Sequence, residues 1–140
     1  MPAVTEDAYG HRAVAGVGAS NLTAGAVSTT AAGTIAPTTS AGATPTVTFG
    51  TGQSANDVRG SFTLNPVTGG GAQAAGAVAV VTCANPYGAP PACIQVTLLD
   101  QSGPVHIGAL ATSITAAGFS VSSPILTTAH NYTVTYVVTP

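Results

Sequence analysis

The residues of this 140-residue chain with chemistry to offer are two cysteines, three histidines and a few carboxylates. Cys83 and Cys93 stand at the two mouths of a Pro- and Gly-rich stretch in "VTCANPYGAPPACIQVTLL" (81–99). A redox pair needs two residues between its cysteines, and here there are nine. Structural zinc needs four ligands, and His11, His106 and His130 stand at no spacing that would complete a set with Cys83 and Cys93. Asp100 and His106 bracket the turn "DQSGPV", and serines are plentiful, so a Ser/His/Asp set can be drawn. Nothing positions one, because there is no G-x-S-x-G elbow and the serines sit in turns and on surfaces. Asp57 and Asp100 are the only carboxylates beyond the leader, too few and too far apart in sequence to read as a glycosidase pair. In "DVR" (57–59), Asp57 and Arg59 fall on one face of a strand, where a local ion pair is expected. "GTG" (50–52) and "GGG" (69–71) precede no helix and read as turns rather than phosphate cradles. The sequence therefore predicts no catalytic residue, no cofactor-binding residue and no metal ligand: the chain is expected not to be an enzyme and to need no cofactor.

Charge narrows the partners. Glu6, Asp7, Arg12, Asp57, Arg59 and Asp100 are the whole complement of charged residues, 4% of the chain, with no lysine. An ordinary soluble domain carries about a quarter. Two arginines cannot neutralise a phosphate track, so nucleic acid is excluded as a partner. No basic patch addresses anionic lipid, and no apolar run reaches the ~20 residues of a membrane span. The opening "MPAVTEDAYGHR" places acids where a signal peptide carries basic residues, so synthesis and assembly in the cytoplasm are expected. On that expectation the sequons at Asn21 and Asn131 carry no weight. A nearly neutral surface favours association with copies or partners.

The elements that must position these residues are strands. Residues 1–45 hold eight large apolar or aromatic side chains, without period, whereas residues 46–140 hold twenty-seven in short clusters. The stretch "NLTAGAVSTTAAGTIAPTTSAGATP" (21–45) buries too little area to offset the ordering of its chain, and an extended N-terminal arm is expected over 1–45. From residue 46 the period is two. Strands are expected at 46–49, 61–67, 77–83, 93–99, 118–122 and 131–139. Val47 with Phe49, Phe62 with Leu64, and Tyr132, Val134, Tyr136 and Val138 should share inward faces. The run 77–83 is nearly continuously apolar and suits burial on both faces. Strands 77–83 and 93–99, as sequence neighbours, are expected to pair antiparallel through the loop 84–92. Cys83 and Cys93 would then lie within disulfide reach, although cytoplasmic synthesis favours two small free thiols. Short strands at this spacing, with no amphipathic helix, predict an all-β fold: an antiparallel β-sandwich or jelly-roll-like module over 46–140.

The C-terminal two-thirds carries a more specific pattern. "GTGQSANDVRGSFTLNPV" sets a G-x-G turn before a D-x-x-G-x-x-x-L strand, and "VTCANPYGAPP" reads as a V-T-x-A-x-P-Y-x-x-P-P hairpin. A "TAAGFSV" strand and the aromatic-alternating "NYTVTYVVTP" complete it. In these motifs residues 50–140 resemble a β-rich module of bacteriophage virion proteins, found in head decoration and head fibre proteins and at the ends of tail fibres. Cys83 stands where members of that family often carry an aromatic residue. The resemblance implies a β-sandwich that forms a homotrimer and has no enzymatic activity. One module with one arm, and no shaft or heptad run, favours a capsid decoration protein. It would bind and stabilise the capsid exterior, with the arm on the major capsid protein. The alternative is a tail fibre or receptor-binding tip that touches the host surface through loops such as 84–92 and 100–106.

Overall fold

A computed structural model describes residues 4–6, 12–14, 33–65 and 73–139. Alternating apolar and hydroxyl-bearing residues become strands along most of this length. In chain order these are β1 (Val4–Glu6), β2 (Arg12–Val14), β3 (Thr34–Pro37), β4 (Thr46–Thr48), β5 (Ser54–Ala55) and β6 (Arg59–Asn65). They continue with β7 (Gly76–Thr82), β8 (Cys93–Asp100), β9 (Val105–Ile107), β10 (Leu110–Thr115), β11 (Gly118–Ser123) and β12 (Tyr132–Thr139). One 3-10 turn, Thr39–Ala41, follows β3. The expected all-β antiparallel sandwich is present. A smaller sheet runs β10-β11-β7-β3, and a larger one runs β4-β6-β12-β8-β9 with β5 added beside β4 on the free side of β6. β1 and β2 form a separate antiparallel pair with Val4 opposite Val14 and Glu6 opposite Arg12.

The core lies between the two sheets. β12 is the centre of the larger one, and its Tyr132, Val134, Tyr136 and Val138 are all buried, as the period predicts. Phe62 and Leu64 of β6 and Leu98 of β8 join them from the same face. Ala79, Val81, Phe119 and Val121 close the core from the smaller sheet. Phe119 meets the Tyr136 ring edge-on across the gap, with centroids 5.2 Å apart, a geometry favoured by the ring quadrupoles. Gly60 makes room for Tyr136: a Cβ there would run into the phenol ring.

Three expectations are corrected. First, β7 and β8 do not pair. β7 lies between β11 and β3, and β8 between β12 and β9, in opposite sheets. The connection 84–92 is a crossover from one sheet to the other. Nine residues with Pro86, Pro90 and Pro91 span the ~10 Å between sheets more readily than they close a hairpin, whose loops hold ~2–5 residues. Cys83 and Cys93 are free, one buried and one exposed.

Second, β7 is not buried on both faces: Val80 is exposed on the outer side. Val78 and Ala79 are both buried because a register shift opposite Val121/Ser122 puts one extra residue into β7 there, and a bulge re-aims side chains.

Third, the boundary at residue 45 falls inside the sandwich. β3 pairs with β7 from Thr34↔Thr82 to Pro37↔Ala79, and Ala41 is fully enclosed. The composition of 21–45 speaks only of side-chain burial. β3 docks mainly by backbone ladder on β7, with Ile35 as its one large apolar contribution to the core. The arm expected over 1–45 also holds the paired β1 and β2, while its residues 15–32 lie outside the described residues, as do His11 and "GGG" 69–71.

β5, β9 and β10 were not expected. β9 and β10 are separated by Gly108 and Ala109, and the β10 ladder shifts register between Thr112 and Thr115, with Ser113 at φ 49°; both features break the period. Phe49 falls beyond the end of β4 and is half exposed rather than facing inward with Val47.

Replacing Gly60 with alanine should cost about 3 kcal/mol by overpacking against the Tyr136 ring. Denaturant unfolding of Gly60→Ala against the unmodified protein measures it, and an unchanged midpoint contradicts the packing described here.

Candidate functional site

The polar chemistry gathers at the two ends of the sandwich. At one end, the segment joining β5 to β6 is a crossbar. Four successive carbonyls accept four bonds from elsewhere in the chain: Ala55 from Gly33 N–H (2.7 Å), Asn56 from the Tyr136 hydroxyl (2.7 Å), Asp57 from the Tyr87 hydroxyl, and Val58 from Val138 N–H (2.7 Å). The Asp57 carboxylate, itself 5% exposed, accepts from Ala84 N–H at 2.7 Å and Asn85 N–H at 3.0 Å. It thereby fixes the start of the crossover 84–92. Backbone bonds from Cys83 and Tyr87 to Ala117 and Ala116 tie the same loop to the β10–β11 turn. Burial pushes the Tyr87 phenol up to about 12, with Cys83 and the Asp57 charge adding to it. The Cys83 thiol is raised for the same reasons, burial first and Asp57 second. A raised thiol is a poor nucleophile.

The Asp57–Arg59 ion pair expected from "DVR" is not formed. Asp57 turns toward residues 84 and 85, while Arg59 is exposed on β6, opposite Val137. A buried carboxylate answered by two backbone amides is held by charge-assisted hydrogen bonds rather than by a countercharge. Replacing Asp57 with alanine leaves the Ala84 and Asn85 amides without their acceptor and should cost about 3 kcal/mol. Amide hydrogen exchange at Ala84 and Asn85 should accelerate along with the loss. A variant with native stability and unchanged exchange would show that the carboxylate does not hold the loop.

At the other end, Asp100 closes β8. Its Oδ2 meets His130 Nδ1 at 2.7 Å, and its Oδ1 accepts from Ser102 N–H at 2.8 Å. The sequence placed Asp100 beside His106, but His106 lies opposite Leu99 on β9, and His130 takes the position instead. That partnership was not legible. His130 follows Ala129, which adopts φ 66°, in the 127–130 turn, and only the pairing of Tyr132 with Asp100 brings the turn over the carboxylate. Among the described residues, no hydroxyl or thiol is hydrogen-bonded to the His130 ring besides the Asp100 carboxylate. Asp100 and His130 thus tie two turns together, as does Gln101 N–H to Asn131 C=O (2.9 Å), while Thr127 N–H donates to the Tyr132 hydroxyl (2.8 Å) within the second turn. Among the described residues, no three His, Cys, Asp or Glu side chains converge as a metal site.

The hydrogen bond from His130 holds the Asp100 carboxyl below its ordinary 3.8, helped by the backbone N–H of Ser102 and opposed by partial burial. A carboxylate that binds its proton less readily in the folded state contributes stability above about pH 4, lost as the pH falls through the lowered value. In His130→Ala, the Asp100 titration followed by carboxyl carbon NMR should move upward toward 3.8. A midpoint that stays where it was would remove His130 as the cause.

The remaining surface suited to contact is apolar and uncharged. The outer face of the smaller sheet carries the row Ala36, Val80, Ser120 and Thr112, in register across four strands. Beside it lies a shallow depression of ≈ 250 Å³ bordered by Val80, Thr82 and Ser120. No charged residue occurs in β3, β7, β10 or β11. At one edge, β10 exposes Leu110 and Ile114. The opposite edge strand, β3, ends at Pro37, a residue that discourages strand addition.

No protein-family model, no curated protein and no solved structure matches this chain.

Proposed function

We propose that this chain is a structural protein of a bacteriophage virion, a capsid decoration or head fibre protein that binds and stabilises the capsid exterior as a homotrimer. It is assembled in the host cytoplasm and carries out no catalysis. Residues 1–32, rather than 1–45, attach to the major capsid protein, because β3 and Ala41 are integral to the sandwich. The observation that carries the reading is the uncharged outer face and edge of the smaller sheet, with Val80, Leu110 and Ile114 exposed. A sheet edge without charge or proline is a ready site for association with a neighbouring chain. The motif resemblance to phage virion modules supplies the kind of assembly.

Attachment works by multivalency. Three leaders tied through one trimer raise each other's effective concentration, so modest single contacts sum to tight binding. In the tail-fibre alternative, loops such as 84–92 and 100–106 touch the host surface. They flank opposite ends of β8, eight residues or about 25 Å apart, so each would serve a different end of the sandwich.

Removing residues 2–32 should abolish binding to purified capsids while leaving the strand content and trimeric mass of the sandwich intact. A truncated protein that still saturates capsids ends the proposed role of the leader. Copy number on intact particles separates the two readings: one set per capsomer places the protein on the head, and one set per particle places it on the tail.

A further inference from the structure

A second surface, on the larger sheet, has different chemistry. Along β5, β6 and β12, which pair side by side, the outer face leaves an open hollow of ≈ 290 Å³. Arg59 lines it together with Ser54, Asn56, Ser61, Thr135 and Val137. The register explains the grouping. Ser54 lies opposite Ser61, Ser61 opposite Thr135, and Arg59 opposite Val137, so neighbouring rungs deliver hydroxyls, a guanidinium and one apolar side chain to the same face. The Ser61 and Thr135 hydroxyls already lie 3.4 Å apart. Among the described residues, no acidic side chain lines the hollow. The nearest carboxylate in sequence, Asp57, is committed to Ala84 and Asn85, and Asp100 is committed to His130 and Ser102.

One guanidinium among hydroxyls and an amide defines a narrow ligand class. A guanidinium pairs bidentately with a carboxylate, whereas a doubly charged phosphate calls for more positive charge than this hollow holds. Hydroxyls and an amide donate to and accept from a polyol. Val137, 44% exposed, offers an apolar contact for ring carbons. Among the described residues, no aromatic face is open for stacking, since Tyr136, which lines the hollow, is 1% exposed and packed against Phe119. A neutral sugar therefore has little to hold it. The volume is at the lower end of small-molecule sites, about 300 Å³, which suits one sugar ring better than a polymer segment.

We infer that this hollow binds a single acidic sugar residue, its carboxylate on Arg59, its hydroxyls on Ser54, Ser61 and Thr135, and its ring carbons against Val137. The inference stands apart from the capsid reading, because it concerns the isolated chain and the opposite sheet.

The test is an amide NMR titration of the full-length protein with methyl β-D-glucuronide, methyl β-D-glucoside and sodium acetate in parallel. The glucuronide should give saturable shifts at Gly60, Ser61, Thr135 and Val137, with the glucoside and acetate at least about tenfold weaker. Losing the bidentate charge-assisted pair in Arg59→Gln should weaken glucuronide binding roughly tenfold or more. Ser61→Ala, which leaves the guanidinium in place, should weaken it severalfold. Arg59 is exposed and Ser61 half-buried, so amide dispersion will report whether both variants keep the fold. Absence of saturable shifts at these amides overturns the inference, and so does full affinity in Arg59→Gln. Acetate binding as tightly as the glucuronide overturns it as well, since the hollow would then be a plain anion contact. Failure of capsid binding by the unmodified chain would leave these shifts untouched.

Discussion

Four consecutive peptide carbonyls, from Ala55 to Val58, hold the two sheets in relation to one another. Their donors are Gly33 just before β3, the crossover residue Tyr87, and two residues of β12, the buried Tyr136 through its hydroxyl and Val138 through its backbone. The Asp57 carboxylate then clamps the start of the crossover. Such a segment would otherwise be a loop with unanswered polar groups at the sandwich rim, a costly arrangement once buried. Turning it into an acceptor for both sheets removes that cost and fixes the path of residues 84–92. Gly60 belongs to the same device, because only a residue without a side chain lets Tyr136 reach the Asn56 carbonyl.

The scarcity of charge follows a consistent plan. Asp57 and Asp100 are spent at opposite ends of the sandwich, each holding a turn through backbone amides, and Asp100 through His130 as well. Between them the smaller sheet is free of charge, which leaves its outer face and the β10 edge open to another polypeptide. Arg59 is the one arginine on the larger sheet, set among hydroxyls. The two sheets thus offer outer surfaces of different chemistry, one uncharged and one with a guanidinium among hydroxyls.

Much of the strand pattern was legible. Strict alternation in "NYTVTYVVT" announces a half-buried strand, and β12 is the centre of the larger sheet with every expected inward residue buried. The same holds for Phe62 and Leu64 on β6 and for Phe119 and Val121 on β11. β10 escaped because a bulge at Ser113 interrupts its period, and β3 escaped because a strand held by its backbone leaves little mark in side-chain composition. The Asp100–His130 contact escaped because nothing within thirty residues of sequence separation signals it.

The amino-acid sequence by itself determined the class of fold, the inward faces of the main strands and the near absence of charge, because period and composition are local properties carried by each segment alone. The tertiary structure decided which strands are neighbours. Sequence adjacency suggested that the strands around Cys83 and Cys93 would pair, yet they lie in opposite sheets. Backbone groups are chemically alike along every strand, so a ladder can form with any partner of suitable length. The choice falls to the loops that limit where the chain can go and to the buried carboxylate and carbonyls that anchor them.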